Sequence, residues 1–178
     1  VRFAWPLCNR TPFRSVDRRS AVPRIEILTS IQASPERCFD CSCDLDLHLR
    51  SMAHSGERAV AGKTSGLIGM GEEVTWRGRH FGIVHEHTSK ITMFDRPRHF
   101  RDEMTRGRFK RFVHDHDFDA TATGTQMRDV LDFASPFGAM GRLVDRVVLA
   151  DYLRRLLEER NTTIREAAET GVESEAAS

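Results

Sequence analysis

A run of β-strands followed by one long helix marks this chain as an α+β protein, a curved antiparallel sheet wrapped around a C-terminal helix. Three observations carry that reading. Between Gly71 and Phe133 the chain passes through extended segment after extended segment with only short connections, which implies antiparallel neighbours. An almost uninterrupted helical stretch then follows from about Gly138 to Thr170. That helix has apolar residues over more than half its circumference, so it must be enclosed on several sides, as a curled sheet can do. The space between sheet and helix is a natural pocket.

The elements follow in order. Arg24–Gln32 is a β-branched run and reads as the first strand. Ser34 is placed to cap a helix whose first position is Pro35, where the missing N–H costs nothing. Short helices are predicted over Pro35–Cys43 and Leu45–Met52, and a second strand over Glu57–Ala61. Gly62, Gly66, Gly69 and Gly71 then punctuate a segment around Leu67, Ile68 and Met70, which reads as a mobile flap. Further strands are predicted at Glu72–His80, Ile83–Asp95, His99–Arg106, Phe109–Ala120 and Thr125–Phe133. In the final helix Leu143, Val147, Ala150, Leu153 and Leu157 share one side, with Val144, Val148, Leu149, Tyr152 and Leu156 beside them. From about Glu158 the pattern turns polar, and the last turns are expected to project into solvent.

Composition bounds the function. The chain has 178 residues, 39% hydrophobic and 30% charged, with a net charge of +1. That suits one soluble domain and gives no whole-chain basic field for nucleic acid. No apolar run approaches a membrane span. Arginines interrupt every candidate signal-peptide core, so a cytoplasmic protein is expected. Residues 1–23 are expected to be a disordered basic arm, 24–169 the folded domain and 170–178 a disordered acidic tail. Cys38, Cys41 and Cys43 form one cluster with no second pair, so with Cys8 they read as free thiols and not as a zinc site.

Ala61-Gly62-Lys63-Thr64 resembles the end of a phosphate-binding loop, but position 57 is Glu where the first glycine is required. His85/His87 and His114/His116 are His-x-His pairs whose members share a strand face. Neither pair is followed by the further ligands of a cupin-like centre, so no metal and no cofactor is expected. Alternation puts Phe112, His114, His116 and Phe118 on one face of their strand, Thr125, Met127, Asp129, Leu131 and Phe133 on one face of the next, and Phe100, Asp102 and Met104 on one face of the preceding strand. These mixed faces carry the aromatic and sulfur groups and are expected to point inward. Their polar members then require hydrogen-bonded partners, which carboxylate–imidazole pairing across strands supplies.

With these pieces in order, the chain resembles the SRPBCC superfamily, the START-like, helix-grip group, in particular its bacterial ligand-binding and polyketide cyclase/dehydrase-like branch. The resemblance covers about Arg24 to Ala168. It is carried by RIEILTSIQASPERCFD, DLDLHLRSM, the glycine-rich loop after GERAVAG, EEVTWRGRHFG, ITMFDRPRHFRDEM, FVHDHDF, GTQMRDVLDFASPFG and GRLVDRVVLADYLRRLLEERN. It implies a seven-stranded antiparallel sheet gripping the C-terminal helix, with two short helices after the first strand, and a pocket for an apolar or amphipathic small molecule. It supplies no catalytic residues.

The function read from the sequence is binding of a small hydrophobic ligand, its partner, between sheet and helix. Trp76, Phe100, Phe112, Met127, Leu131, Phe133, Leu143 and Val147 are expected to line the site, with Asp102, His114, His116 and Asp129 as polar anchors. The alternative is a polyketide cyclase or dehydratase type of enzyme in which His114 or His116 moves a proton and Asp102 or Asp129 orients it.

Overall fold

The computed structural model describes residues 23–136, residue 138 and residues 145–176. The basic arm and Leu143 lie outside the described residues. The described chain is one seven-stranded antiparallel sheet with a long helix across its concave side. Strand β1 is Arg24–Ile31, and helices α1 (Pro35–Cys43) and α2 (Leu45–Ser51) follow it. Then come β2 (Arg58–Gly62), β3 (Glu73–His80), β4 (Ile83–Asp95), β5 (His99–Arg106), β6 (Arg111–Thr121) and β7 (Gly124–Ala134). A π-helical turn at Asp145–Leu149 leads into α3, Ala150–Ala176. The strand order is β1-β7-β6-β5-β4-β3-β2, so only β1 departs from a simple meander by pairing with the last strand.

Local chemistry explains the elements. Ser34 is extended and accepts from the Arg37 amide, and Pro35 opens α1. Asp44 ends α1 and caps α2 through the amides of Asp46 and Leu47. β6 and β7 bury alternate residues. Thr125, Met127, Asp129, Leu131 and Phe133 are all buried on the inner face of β7. The hairpin from β3 to β4 turns through Phe81 and Gly82, both with positive φ, as a tight two-residue turn demands.

Two apolar clusters fill the interior. One gathers α1, α2 and the middle strands around Phe39, whose ring meets Phe94, Phe100 and Phe118 at centroid distances of 5.1, 5.4 and 5.4 Å. The C-terminal half of α3 closes it with Ile164 and Ala168. The other lies under the start of α3 and holds Ile25, Leu131, Phe133 and Leu157.

Three expectations are corrected here. The glycine-rich segment is not a free flap. Leu67 bridges to Asp44, the Leu45 amide donates to Gly66 O at 3.1 Å, the Ile68 amide to Cys43 O at 3.0 Å and the Gly71 amide to Ile91 O at 2.9 Å, while Ile68 is buried. Backbone bonding to both the helices and β4 holds it. The last turns of α3 do not leave the protein at Glu158, because Arg160, Asn161, Ile164 and Ala168 are buried and the helix continues to Ala176. Val147 is 63% exposed and does not face the interior. The π turn has more residues per turn than an α-helix, so it rotates the apolar stripe and leaves Val147 and Val148 outside.

Gly62 closes β2 with φ +73°, and a Cβ there would clash with the backbone oxygen of Glu73. Lys63 meanwhile pairs with Glu72 at 2.9 Å. Gly62→Ala is expected to destabilise the fold by at least about 2 kcal/mol, read as a lower urea midpoint with an unchanged slope.

Candidate functional site

A cavity of about 350 Å3 lies between the sheet and the N-terminal half of α3. The π turn contributes Leu149, and the helix contributes Tyr152, Leu153, Leu156, Leu157 and Arg160, a face at helical spacing. The sheet contributes Trp76 from β3, His85, His87 and Ile91 from β4, Phe100, Asp102 and Met104 from β5, and Phe112 and His114 from β6. Exposed Phe81 sits at the rim, its ring 4.5 Å from that of Tyr152. The walls are mainly apolar, and among their polar side chains two hydrogen-bonded carboxylate–histidine groups stand out.

The first polar group is a buried network behind the wall. Asp129 on β7 is completely buried. Its Oδ1 accepts from His114 Nε2 at 3.0 Å, and its Oδ2 accepts from Asn161 Nδ2 of α3 at 2.7 Å. His116 Nδ1 lies 2.8 Å from the same Oδ1, but off the direction of a formed hydrogen bond, so this is an ion-pair contact. His116 Nε2 reaches Asp102 Oδ2 at 3.3 Å. Arg160 approaches Asp129 at 3.6 Å and donates to Ser42 O at 3.0 Å. Burial opposes ionisation of Asp129, but the two imidazoles outweigh it and hold the carboxyl well below its usual range. Asp102 is shifted in the same direction: burial again opposes, and His116 and His114 prevail. Burial lowers the His114 pKa.

The second polar group went unread in the sequence. Glu57, in the turn before β2, accepts from His48 Nε2 of α2 at 2.6 Å. His80 Nε2 at the end of β3 lies 3.8 Å from its other oxygen, within ion-pair range, and His80 Nδ1 is 2.6 Å from the Tyr152 hydroxyl. With the Nε2 proton facing the carboxylate, Nδ1 accepts from the tyrosine. His48 also lies over Trp76, with ring centroids 4.3 Å apart. Gly78 makes room for the group, since a Cβ there would be 3.3 Å from His80 Nε2 and 3.4 Å from Glu57 Oε2. Burial opposes ionisation of Glu57, yet the His48 hydrogen bond and the His80 ring beside it hold its carboxyl far below the usual carboxylate range. Burial raises the Tyr152 pKa and lowers that of His87, which stands between the two polar groups on β4.

Of the residues expected to form the site, Trp76, Phe100, Asp102, Phe112, His114 and Leu131 face the cavity. Met127 and Phe133 are packed into the two apolar clusters, and His116 and Asp129 sit one layer behind the wall. Val147 is on the surface. The helical phase of Tyr152 and Leu156 beside Leu153 could have placed those two in the wall. Nothing local links Glu57 to His48, His80 and Tyr152, because four separate elements bring them together. Among the described residues Cys38, Cys41 and Cys43 are free thiols, with Cys38 and Cys43 buried. Burial pushes the Cys43 thiol up to about 12.

No family model and no curated protein matches the chain. Solved structures do share its fold. A protein from Thermus thermophilus is 19% identical with a TM-score of 0.64, over 82% of this chain and 99% of that one. A Staphylococcus aureus protein described as of unknown function is 14% identical with a TM-score of 0.66, over 85% and 96%. The ginseng major latex-like protein 151 from Panax ginseng is 12% identical with a TM-score of 0.63, over 83% and 98%. The shared arrangement is a helix-grip fold, with seven strands, two short helices after the first strand and a long C-terminal helix. No helix of the described residues is long and apolar enough to cross a membrane.

Glu57 has a depressed pKa in the fold, so its contribution to stability is fully present above the ordinary carboxyl value of 4.5 and is lost as pH falls below it. Glu57→Gln is expected to be less stable than the parent by about 1–3 kcal/mol at pH 7. Denaturant titrations at pH 7 and below 4.5 should show that difference shrinking in acid.

Proposed function

We propose that this chain binds a small amphipathic molecule in the cavity between the sheet and α3, through residues 24–169. The observation that carries this reading is the composition of the wall. Trp76, Phe100, Phe112, Leu131 and Leu153 enclose an apolar middle, and carboxylate–histidine groups stand at two places along it. Small-molecule sites combine a mostly apolar surface with a few fixed polar groups, and typically occupy about 300–1,000 Å3. Each 100 Å2 of apolar ligand surface buried there contributes roughly 2.5 kcal/mol before the costs of association. The inward polar groups are already partnered and so preorganised to orient a ligand's polar end. A cytoplasmic setting belongs to the same proposal and is supported by the free thiols of Cys38, Cys41 and Cys43.

A second reading, an enzyme of the polyketide cyclase or dehydratase type, is favoured by one arrangement in particular. The Glu57–His80–Tyr152 chain ends in a hydroxyl at the cavity, and Asp102 with His114 offers a second proton-handling pair. Replacing His114 and His116 by Gln retunes affinity in a carrier but abolishes turnover in such an enzyme.

Met104 lines the cavity from β5, and Met104→Trp is expected to fill it. Titration with the fluorescent amphiphile 1-anilinonaphthalene-8-sulfonate should give saturable binding to the parent chain. Affinity should fall at least about tenfold in the variant, or about 1.4 kcal/mol. Equal affinity in a folded Met104→Trp protein would remove the cavity as the binding site.

A further inference from the structure

Strand pairing places Asp102 of β5 directly opposite His114 of β6, and His116 opposite Asp129 of β7. Asp102 Oδ2 lies 3.7 Å from His114 Nδ1 and 3.3 Å from His116 Nε2. One donor atom from each of the three residues falls within 4.8 Å of the others. The two measured separations are those of adjacent ligands around one first-row ion with bonds of about 2.0–2.2 Å. The far edges of both rings meet Asp129 Oδ1, at 3.0 Å from His114 Nε2 and 2.8 Å from His116 Nδ1. The Asp129 hydrogen bond to His114 Nε2 turns His114 Nδ1 towards Asp102, the usual outer support of a metal-binding imidazole, and the same oxygen stands behind His116 without a formed hydrogen bond. Asp129 is itself committed to that role, since its other oxygen accepts from Asn161 at 2.7 Å and Arg160 offsets its charge from 3.6 Å.

We propose that Asp102, His114 and His116 form a three-ligand site for a divalent first-row transition-metal ion, with its open positions towards the cavity. Two imidazoles and one carboxylate suit zinc, iron(II) or cobalt(II), and a three-ligand set leaves room for water or a ligand atom. Asp102 and His114 line the cavity wall, so the open side of the site and the pocket coincide. Spacing along a single strand gives no metal site in the sequence, whereas here the third ligand comes from the neighbouring strand. This site stands apart from the ligand reading, because an ion binds whether or not the cavity also takes a small molecule.

The test is titration of the full chain with Co2+ under reducing conditions, followed by visible absorption. One equivalent should bind saturably with a d–d spectrum. Asp102→Asn and His114→Gln should each lose that spectrum while circular dichroism shows them folded. Asp129→Asn should weaken binding roughly 10- to 100-fold. His99→Gln alters a histidine–carboxylate pair on the outer face and should bind as the parent does. Should the inner variants unfold, histidine side-chain 15N spectra of the parent chain with Zn2+ decide the matter, with shifts expected at His114 Nδ1 and His116 Nε2. Absence of saturable Co2+ binding overturns the proposal. So does retention of the spectrum in both inner variants, or Zn2+ shifts confined to His48, His80, His85 or His87.

Discussion

One fully buried carboxylate organises this protein. Asp129 projects from β7 into the interior, where an unpaired charge would be prohibitively costly. It is tolerated because β6 supplies His114 and His116 and α3 supplies Arg160 and Asn161. Asn161 continues to the Thr29 hydroxyl on β1, and Arg160 to the Ser42 carbonyl on α1. The helix, the first and last strands and the first helix are thereby fixed to one point. Removing any single partner would leave another polar group buried without compensation, which explains why a domain of this size retains so polar a centre.

That anchor also divides the space under α3. On its C-terminal side the helix packs tightly, with Ile164 and Ala168 meeting the cluster around Phe39 and Met127. On its N-terminal side the same helix stands over the cavity, and Leu153, Leu156 and Tyr152 face the sheet across it. The cavity is thus not a packing defect spread through the core. It is confined between a polar layer and the rim at Phe81, and polar groups from the turn before β2 and from β3, α2 and α3 border its other side. Fold alone leaves the role open, since one architecture hosts many functions. Binding is therefore inferred from what this chain places in its own wall.

Much of this was legible in the sequence wherever the signal was local. Period-two alternation identified the inner faces of β6 and β7, including the buried Asp129, and the Ser34-Pro35 start gave α1 its bounds at Pro35–Cys43. Strands β4 and β5 were bounded by turn residues and read off at Ile83–Asp95 and His99–Arg106. What escaped depended on contacts between distant segments. Glu57 gives no sign in its own neighbourhood that His48, His80 and Tyr152 will surround it. The glycines suggested mobility because the hydrogen bonds that tie their segment to Cys43, Leu45 and Ile91 come from other elements. Val147 was misplaced because a π turn changes the helical phase, and Arg160 and Asn161 were read as solvent-facing because their buried partner lies on β7.

The central claim is that the hollow between sheet and helix holds a small molecule. Native mass spectrometry of the protein purified from its own host tests this most directly. A complex heavier than the polypeptide, which releases a small molecule on gentle activation, is the predicted result. Bare polypeptide from cells grown under several conditions, by a method shown to preserve such complexes, would contradict it.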